Sequence, residues 1–88
     1  MADSLRLDKF LWFARVVKTR ALAQALAEAG RLRLSGRTID RAHTPVRVGD
    51  VLSFAINGKV RVIRVEAIPA RRGPAAEAQA LYSELRDE

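Results

Sequence analysis

Residues 6–37 read RLDKFLWFARVVKTRALAQALAEAGRLRLSGR, and this stretch decides the fold. It contains two runs of apolar residues at helical spacing, separated by a basic turn and followed by a short alternating segment. Basic side chains recur through it at positions that lie off the apolar stripes. We therefore expect a pair of amphipathic helices with a positively charged outer surface, for which the rest of the chain forms the scaffold.

The first apolar run predicts a helix from about Leu7 to Arg15. Its buried stripe should hold the residues at i, i+3, i+4, i+7 and i+10, namely Leu7, Phe10, Leu11, Ala14 and Val17. Asp8 lies in the first turn, where the helix dipole favours a carboxylate. Trp12 lies opposite the stripe, so its ring either packs under the C-terminal helix or stacks on an unpaired base.

The second apolar run predicts a helix from Arg20 to Ala29. Thr19 is the expected N-cap, because its hydroxyl can accept a hydrogen bond from an unpaired backbone N–H, and Gly30 is the expected stop. The predicted buried stripe of this helix is Leu22, Ala25, Leu26 and Ala29. Arg20 begins the helix, where the backbone N–H groups and the dipole also favour an anion such as a phosphate.

The next patterns predict a small antiparallel sheet. Leu32-Arg33-Leu34 alternates with its arginine outward, and Ser35-Gly36 turns the chain into Arg37-Thr38-Ile39. Asn57-Gly58, between the β-rich runs 51–56 and 59–68, is typical of a type I′ hairpin. The alternation of the return strand changes phase near Ile63, which predicts a bulge or burial on both faces.

After Pro69, a basic linker leads to Pro74, and we expect a final helix over Ala75 to Leu85. The apolar face of this helix should dock on the sheet or on the first helix. Residues 74–88 carry more acidic than basic side chains, so we do not expect this end of the chain to contact a polyanion.

Length and composition narrow the class of protein. Eighty-eight residues suffice for one small domain, and the absence of cysteine excludes disulfides and thiolate metal sites. No apolar run is long enough for a signal peptide or a membrane span, so we expect a cytoplasmic protein with no membrane partner. The net charge of +6 is carried by residues 1–49, which indicates a directed basic face suited to nucleic acid.

The sequence offers little for catalysis. His43 is the only histidine, lies in a polar loop and has no partner at metal-ligand spacing. The glycines are isolated, so there is no phosphate-binding loop of the Walker or Rossmann kind. We therefore predict no catalytic residues, no bound metal, no cofactor and no small-molecule substrate, and we expect that the protein is not an enzyme.

Several motifs together resemble a known family. They are Arg6-Leu-Asp-Lys-Phe-Leu-Trp12, Lys18-Thr-Arg-Ala-Leu-Ala23, Gly30-Arg-Leu-Arg-Leu-Ser-Gly36 and Val48-Gly-Asp-Val-Leu52. This set resembles the S4-type RNA-binding domain. The segments RLDKFLWFARVVKTRALA and RRGPAAEAQALY resemble, more narrowly, the bacterial ribosome-associated heat shock protein 15 family, and the similarity covers residues 5–85.

The resemblance implies an α+β fold of the S4 (alpha-L) type, with two N-terminal helices packed on a small, mostly antiparallel sheet and an added C-terminal helix. The domain would span residues 5–68, and residues 69–88 would form a basic linker and the docking helix. RNA would be bound by the helix pair and the β-turn, to which we add the outward arginines beside that turn. The predicted RNA-binding residues are Arg6, Lys9, Arg15, Lys18, Thr19, Arg20, Arg31, Arg33, Ser35, Gly36 and Arg37.

The leading hypothesis is a monomeric, non-catalytic protein that binds ribosomal RNA or tRNA on large ribosomal subunits with stalled nascent chains. A second hypothesis is the targeting domain of an RNA-modifying enzyme, such as a pseudouridine synthase. A third is a protein-interaction module whose basic face meets an acidic partner.

Overall fold

The computed structural model describes residues 3–85, which contain three short helices and seven strands. The helices are α1 (Leu7–Phe13), α2 (Arg20–Glu28) and α3 (Ala75–Gln79). The strands are β1 (Ser4–Arg6), β2 (Leu32–Leu34), β3 (Arg37–Ile39), β4 (Pro45–Arg47), β5 (Val51–Ile56), β6 (Lys59–Val65) and β7 (Tyr82–Glu84). This mixture of helices and antiparallel strands confirms the predicted α+β class. Within the described residues, no helix has the length and apolarity needed to cross a membrane.

The strands form two separate antiparallel sheets. The larger has the order β3-β2-β5-β6-β7, and the smaller is a ribbon of β1 and β4. In the ribbon, Leu5 pairs with Val46 and Arg6 pairs with Pro45. Leu5 packs on the core and Val46 is fully buried. Because neighbouring residues of a strand point to opposite sides, Arg6, Pro45 and Arg47 face away from the core.

Helix α1 begins against the loop between β3 and β4. The backbone N–H groups of Leu7 and Asp8 donate to the carbonyls of Thr44 (2.9 Å) and Ala42 (3.1 Å). These bonds satisfy two of the N–H groups that have no partner within the helix. All five residues of the predicted α1 stripe are buried, so this prediction is confirmed.

Helix α1 ends at Phe13, two residues earlier than predicted. The backbone N–H of Arg15 donates to the carbonyl of Trp12 (3.1 Å), and that of Val16 donates to the carbonyl of Leu11 (3.0 Å). These two bonds form a Schellman cap. Arg15 has a φ of 59°, so an arginine occupies the left-handed position at which glycine is usual.

Helix α2 has the predicted ends but not the predicted buried face. The hydroxyl oxygen of Thr19 accepts the N–H of Leu22 at 3.1 Å, and Gly30 has a φ of +77°, which confirms the cap and the stop. The buried residues are Ala23 and Ala27, so the stripe predicted at Leu22, Ala25, Leu26 and Ala29 is wrong. The helix carries apolar side chains on several sides. Only the smallest of them, the alanines, allow the backbone of α2 to approach α1 closely. Leu22 is instead 52% exposed and lines an open groove of about 760 Å³.

The two predicted hairpins are present. Ser35 and Gly36 have φ values of 50° and 89°, and Asn57 and Gly58 have values of 52° and 77°, as type I′ turns require. The pairing of β5 with β6 is continuous from the pair Ile56 and Lys59 to the pair Val51 and Arg64, so the predicted bulge is wrong.

Arg61 explains the change of phase in β6. It pairs with the buried Phe54, so the face of β6 that carries the buried Ile63 and Val65 also carries Arg61. Its guanidinium carbon lies 5.9 Å from the ring centre of Phe54 and 5.8 Å from that of Tyr82. Glu84 accepts hydrogen bonds from Arg61 at 3.1 and 2.7 Å. Arg64, between the buried Ile63 and Val65, is exposed, so the predicted burial on both faces near Ile63 is also wrong.

The C-terminal helix is much shorter than predicted. It ends at Gln79, and Tyr82–Glu84 forms β7 beside β6. The helix predicted over Ala75 to Leu85 is therefore wrong beyond residue 79. Without β7, the backbone N–H and C=O groups at the edge of β6 would have no strand partner. A segment that follows β6 can pair with them as a strand. Tyr82 also gains its contact with Arg61 in this arrangement.

Trp12 packs on the linker that precedes α3. The guanidinium carbon of Arg72 lies 5.3 Å from the centre of the Trp12 ring, and Arg72 Nε donates to the Trp12 carbonyl at 3.0 Å. The ring is half-buried against the core and also contacts Phe13. Trp12 therefore packs on Arg72 and not under the C-terminal helix as predicted, while stacking of its ring on an unpaired base stays a prediction.

Candidate nucleic-acid interface

Asp8 joins the starts of the two long helices. Its carboxylate is completely buried and accepts hydrogen bonds from Nε and Nη2 of Arg6 at 2.9 and 3.0 Å. Nη2 of Arg20, the first residue of α2, lies 3.6 Å from Asp8 Oδ2. The two arginines share one carboxylate, while their side chains remain 42% and 38% exposed. We call Arg6, Asp8 and Arg20 the Asp8 cluster.

The hydrogen bonds of the Asp8 cluster fix its charge. Burial by itself raises the pKa of the Asp8 carboxyl. The hydrogen bonds from Arg6 and from the backbone N–H of Lys9 (2.8 Å), with the positive charges of Arg6 and Arg20, outweigh burial and bring this pKa below its usual value. Asp8 is therefore ionised at neutral pH. Each guanidinium has five N–H donors, so donors remain at the surface for an anion.

The loop between the helices presents Lys18 and Thr19. Both are exposed. Among residues 3–85, the Lys18 ammonium group takes part in no ion pair. Thr19 caps α2 and thereby sets the position of Arg20, which follows it directly. The Lys18 ammonium group, which has no ion-pair partner among residues 3–85, thus lies close in sequence to the Arg20 guanidinium, which Asp8 holds.

Lys9 and Arg15 are less available than the loop residues. Lys9 is half-buried beside Asp8. Arg15 is exposed, but its Nε donates to the carbonyl of Gly73 at 2.9 Å. The Arg15 side chain therefore ties the segment before α3 to the end of α1.

The Ser35-Gly36 turn is anchored by Asp50. Ser35 Oγ donates to Asp50 Oδ1 at 3.0 Å, and the Ser35 backbone N–H donates to the carbonyl of Val51 at 2.7 Å. The serine hydroxyl is therefore used to fix the turn. Gly36 and Arg37 lie beyond it and are exposed.

The predicted basic residues do not all share one face of the molecule. Arg37 pairs with Leu34, which pairs with the buried Leu52, so Arg37 lies on the sheet face that the helices cover. Arg33 pairs with Ser53 and lies on the opposite face. Arg31 is exposed just before β2. Arg33 is therefore outward, as predicted, but it lies on the face of the sheet that the helices do not cover.

A pocket of about 340 Å³ lies between the β2–β3 hairpin and β4. The residues that line it include Leu34, Arg37, Ile39, Pro45, Arg47 and Asp50. Arg47 was not among the residues predicted from the sequence. The alternation Val46-Arg47-Val48 was the signal that could have found it, because it places an arginine outward beside a buried valine.

The described part of the chain contains no cluster of three or more His, Asp or Glu side chains that could hold a metal ion. The cavities found there are lined mainly by apolar and basic residues rather than by converging titratable groups. The arrangement is suited to contact an anionic surface.

Residues 5–52 match the model of a known family, the S4 domain. This chain belongs to the S4 domain family. The matched residues run from β1 into β5 and include the Asp8 cluster, the loop between the helices and the Ser35-Gly36 turn. The S4-type RNA-binding fold predicted from the sequence is therefore confirmed.

The S4 domain of this chain resembles two kinds of curated protein along nearly its whole length. Heat shock protein 15 from Escherichia coli (strain K12) is 39% identical over 86 residues, which is 98% of this chain. The chain spans only 64% of the length of that relative. The RQC P-site tRNA stabilizing factor from Listeria innocua is 33% identical over 90 residues, which cover 100% of this chain and 94% of that protein. The predicted resemblance to heat shock protein 15 is confirmed.

A solved structure shows the same fold. Heat shock protein 15 from Vibrio cholerae, described as trimeric, matches with a TM-score of 0.86 and 35% identity, over 93% of this chain and 82% of that one. The structural likeness thus continues into the segment after β5, although the division at residues 68 and 69 stays a prediction. The RNA-binding residues predicted from the sequence also stay predictions.

Proposed function

We propose that this protein is a non-catalytic RNA-binding protein of the cytoplasm that binds ribosomal RNA or tRNA on large ribosomal subunits with stalled nascent chains. In this proposal it acts as a monomer and contacts mainly phosphates. Arg6, Lys18, Arg20 and Arg37 form the central contacts, and the half-buried Lys9 adds its charge beside Asp8. Arg15, Thr19, Ser35 and Gly36 shape the surface, and Arg31 and Arg33 extend its charge toward the other face of the sheet.

The observation that carries the proposal is the Asp8 cluster. A buried carboxylate holds two arginines side by side at the starts of two helices and leaves both half-exposed. Guanidinium groups bind phosphates with two parallel hydrogen bonds, and fixed ones lose less side-chain entropy on binding. Lys18 adds a positive charge next to Arg20. Such a surface favours a polyanion with regularly spaced phosphates.

The names of the relatives support the partners in this proposal. One relative is named for heat shock and another for stabilising tRNA in the ribosomal P site, and neither name describes an enzyme. This favours a binding role over the targeting part of an RNA-modifying enzyme.

Co-sedimentation with purified bacterial ribosomal subunits tests the function. We expect the protein to sediment with large subunits and to be released by salt. If about four to six phosphates are neutralised, the logarithm of the affinity should fall with the logarithm of salt concentration with a slope of roughly −3 to −5. Absent or salt-independent binding would refute the proposal.

Substitutions in the loop between the helices test the site. Lys18→Ala and Arg20→Ala should each weaken binding to large subunits by about 1–2 kcal/mol, because each removes a charge-assisted contact. Arg64→Ala is the matched control, since Arg64 is exposed on the sheet face opposite the helices and lies on β6, which β5 separates from the strand of Arg33. Urea unfolding of Arg20→Ala separates lost binding from lost stability. Unchanged affinity in both loop variants would move the site elsewhere.

A further inference from the structure

The ribbon of β1 and β4 connects the Asp8 cluster with the pocket beside Arg37. Arg6 pairs with Pro45, and Arg47 lies two residues further along β4 on the same outward face. Such diagonal neighbours in antiparallel strands have Cα atoms about 7–8 Å apart. Arg6 thus contacts Asp8 on one side and neighbours Arg47 on the other.

Arg37 and Arg47 bring two positive charges to the same pocket. Both residues are exposed. Among residues 3–85, neither guanidinium forms an ion pair. Leu34, Ile39 and Pro45 also line the pocket and give it an apolar surface. The pocket therefore combines two cationic forks with a surface suited to the carbon atoms of a sugar.

Asp50 sets the net charge of this pocket. Its Oδ1 accepts a hydrogen bond from Ser35 Oγ at 3.0 Å, and its Oδ2 accepts the backbone N–H of Arg47 at 2.8 Å. The carboxylate is thus held by donors of the protein and positions both the turn and β4. With two guanidinium groups and one carboxylate, the pocket carries one positive charge, which matches the single negative charge of a phosphodiester.

We propose that this pocket binds one phosphodiester group of an RNA backbone between the guanidinium groups of Arg37 and Arg47, with the attached ribose against Leu34 and Pro45. This proposal rests on the proposed function and deepens it. It makes Arg47 an RNA contact and extends the path of the bound backbone from the Asp8 cluster to the Ser35-Gly36 turn. Contacts of this kind position RNA without reading its base sequence.

Fluorescence anisotropy with a labelled RNA stem-loop, measured over a range of salt concentrations, tests the pocket. Arg37→Gln and Arg47→Gln should each weaken binding about five- to tenfold and make the salt slope shallower by about 1. The double variant should lose less than the product of the two single losses, because both side chains hold the same phosphate. Arg47→Lys, which keeps the charge but not the fork of donors, should lie between wild type and Arg47→Gln.

Arg64→Gln is the control, because it removes the same charge from an exposed strand position on the opposite face of the sheet. It should change the affinity less than about twofold. The backbone of Arg47, not its side chain, holds Asp50, so the variants should unfold at the wild-type temperature.

The outcomes separate this proposal from the proposed function. If Arg20→Ala weakens binding while Arg47→Gln and Arg37→Gln behave like Arg64→Gln, the phosphate pocket is refuted and the function stands. If the wild-type protein shows no salt-dependent binding to RNA, both are refuted. Fully multiplicative losses in the double variant would also reject a single shared phosphate.

Discussion

Asp8 shows how one side chain can serve both the fold and the proposed function. A buried carboxylate is costly unless it is hydrogen-bonded and paired. Here it accepts two bonds from Arg6 and one from the backbone of Lys9, and it lies near Arg20. The favourable position in the first turn of α1 was predicted from the sequence. Its contacts with both arginines depend on how the two helices pack, which the local pattern does not specify.

Asp8→Asn should destabilise the protein by about 1.5–3 kcal/mol at pH 7, because it weakens hydrogen bonds to a charged partner. Urea unfolding measures this loss. Asp40→Asn is the matched control, since Asp40 is exposed and makes no ion pair with any described residue. An Asp8→Asn variant as stable as the Asp40→Asn variant would show that the Asp8 cluster contributes nothing to folding.

The same pair of proteins should differ in their response to acid. The pKa of Asp8 is lower in the folded state than its ordinary value of 3.8, which we take for the unfolded chain. The contribution of its charge is therefore fully present above the unfolded pKa and is lost as the pH falls through the folded pKa. The stability gap between wild type and Asp8→Asn should narrow from pH 5 downward. Glu84, whose pKa Arg61 lowers, is present in both proteins and cancels in the comparison. A gap that stays constant from pH 5 downward would contradict the lowered pKa.

At the scale of the element, helix α2 separates what its sequence specifies from what packing decides. The cap at Thr19 and the stop at Gly30 are local chemistry, and both were predicted correctly. The buried face depends on which side of the helix fits against α1. The leucines and alanines of α2 lie on several sides of the helix, so two different faces satisfy the same apolar pattern. The close approach of α1 and α2 selects the face of Ala23 and Ala27.

Ala27→Leu should cost about 1–3 kcal/mol of stability, because the added atoms have no space at a fully buried helix contact. Ala25→Leu adds the same atoms on the exposed side and should change stability by less than about 0.5 kcal/mol. Thermal or urea unfolding of both variants measures the difference. The reverse order would restore the stripe predicted from the sequence.

The strands likewise separate features that local residues determine from features that distant packing determines. The turns Ser35-Gly36 and Asn57-Gly58 could be predicted, because each needs particular residues at positive φ. The ribbon strand β4 and the strand β7 could not, since each is defined by a distant partner, β1 and β6 respectively. For the candidate site, the sequence identified basic residues but not their faces. It therefore placed Arg33 and Arg37 in one group and omitted Arg47.

At the scale of the whole molecule, residues 66–85 close the fold by reciprocal contacts with α1. Arg72 donates to the carbonyl of Trp12, and Arg15 donates to the carbonyl of Gly73. Strand β7 then adds to the edge of the large sheet. Two arginines that could serve as nucleic-acid contacts are thus partly used to hold the two ends of the domain together.

Arg72→Ala should reduce stability by about 1–2 kcal/mol, because it removes a charged hydrogen bond and a cation–π contact. Trp12 is the only tryptophan, so its fluorescence should shift to longer wavelength as the ring becomes more exposed. Arg71→Ala is the neighbouring control, since the only ion pair of Arg71 among the described residues is an exposed one with Glu77, at 3.4 Å. Equal stability and equal emission in both variants would contradict the closing role of Arg72.

The ribbon also limits when a growing chain can bind RNA. During synthesis, both helices and every residue of the Asp8 cluster are made before the segment that pairs with β1 exists. The first N–H groups of α1 likewise wait for the carbonyls of Ala42 and Thr44. Until that segment has left the ribosome, Arg6 has no strand to hold it in place beside Arg20. Under the proposed function, the two N-terminal helices therefore complete their RNA-binding surface only after β4 has been made and has left the ribosome.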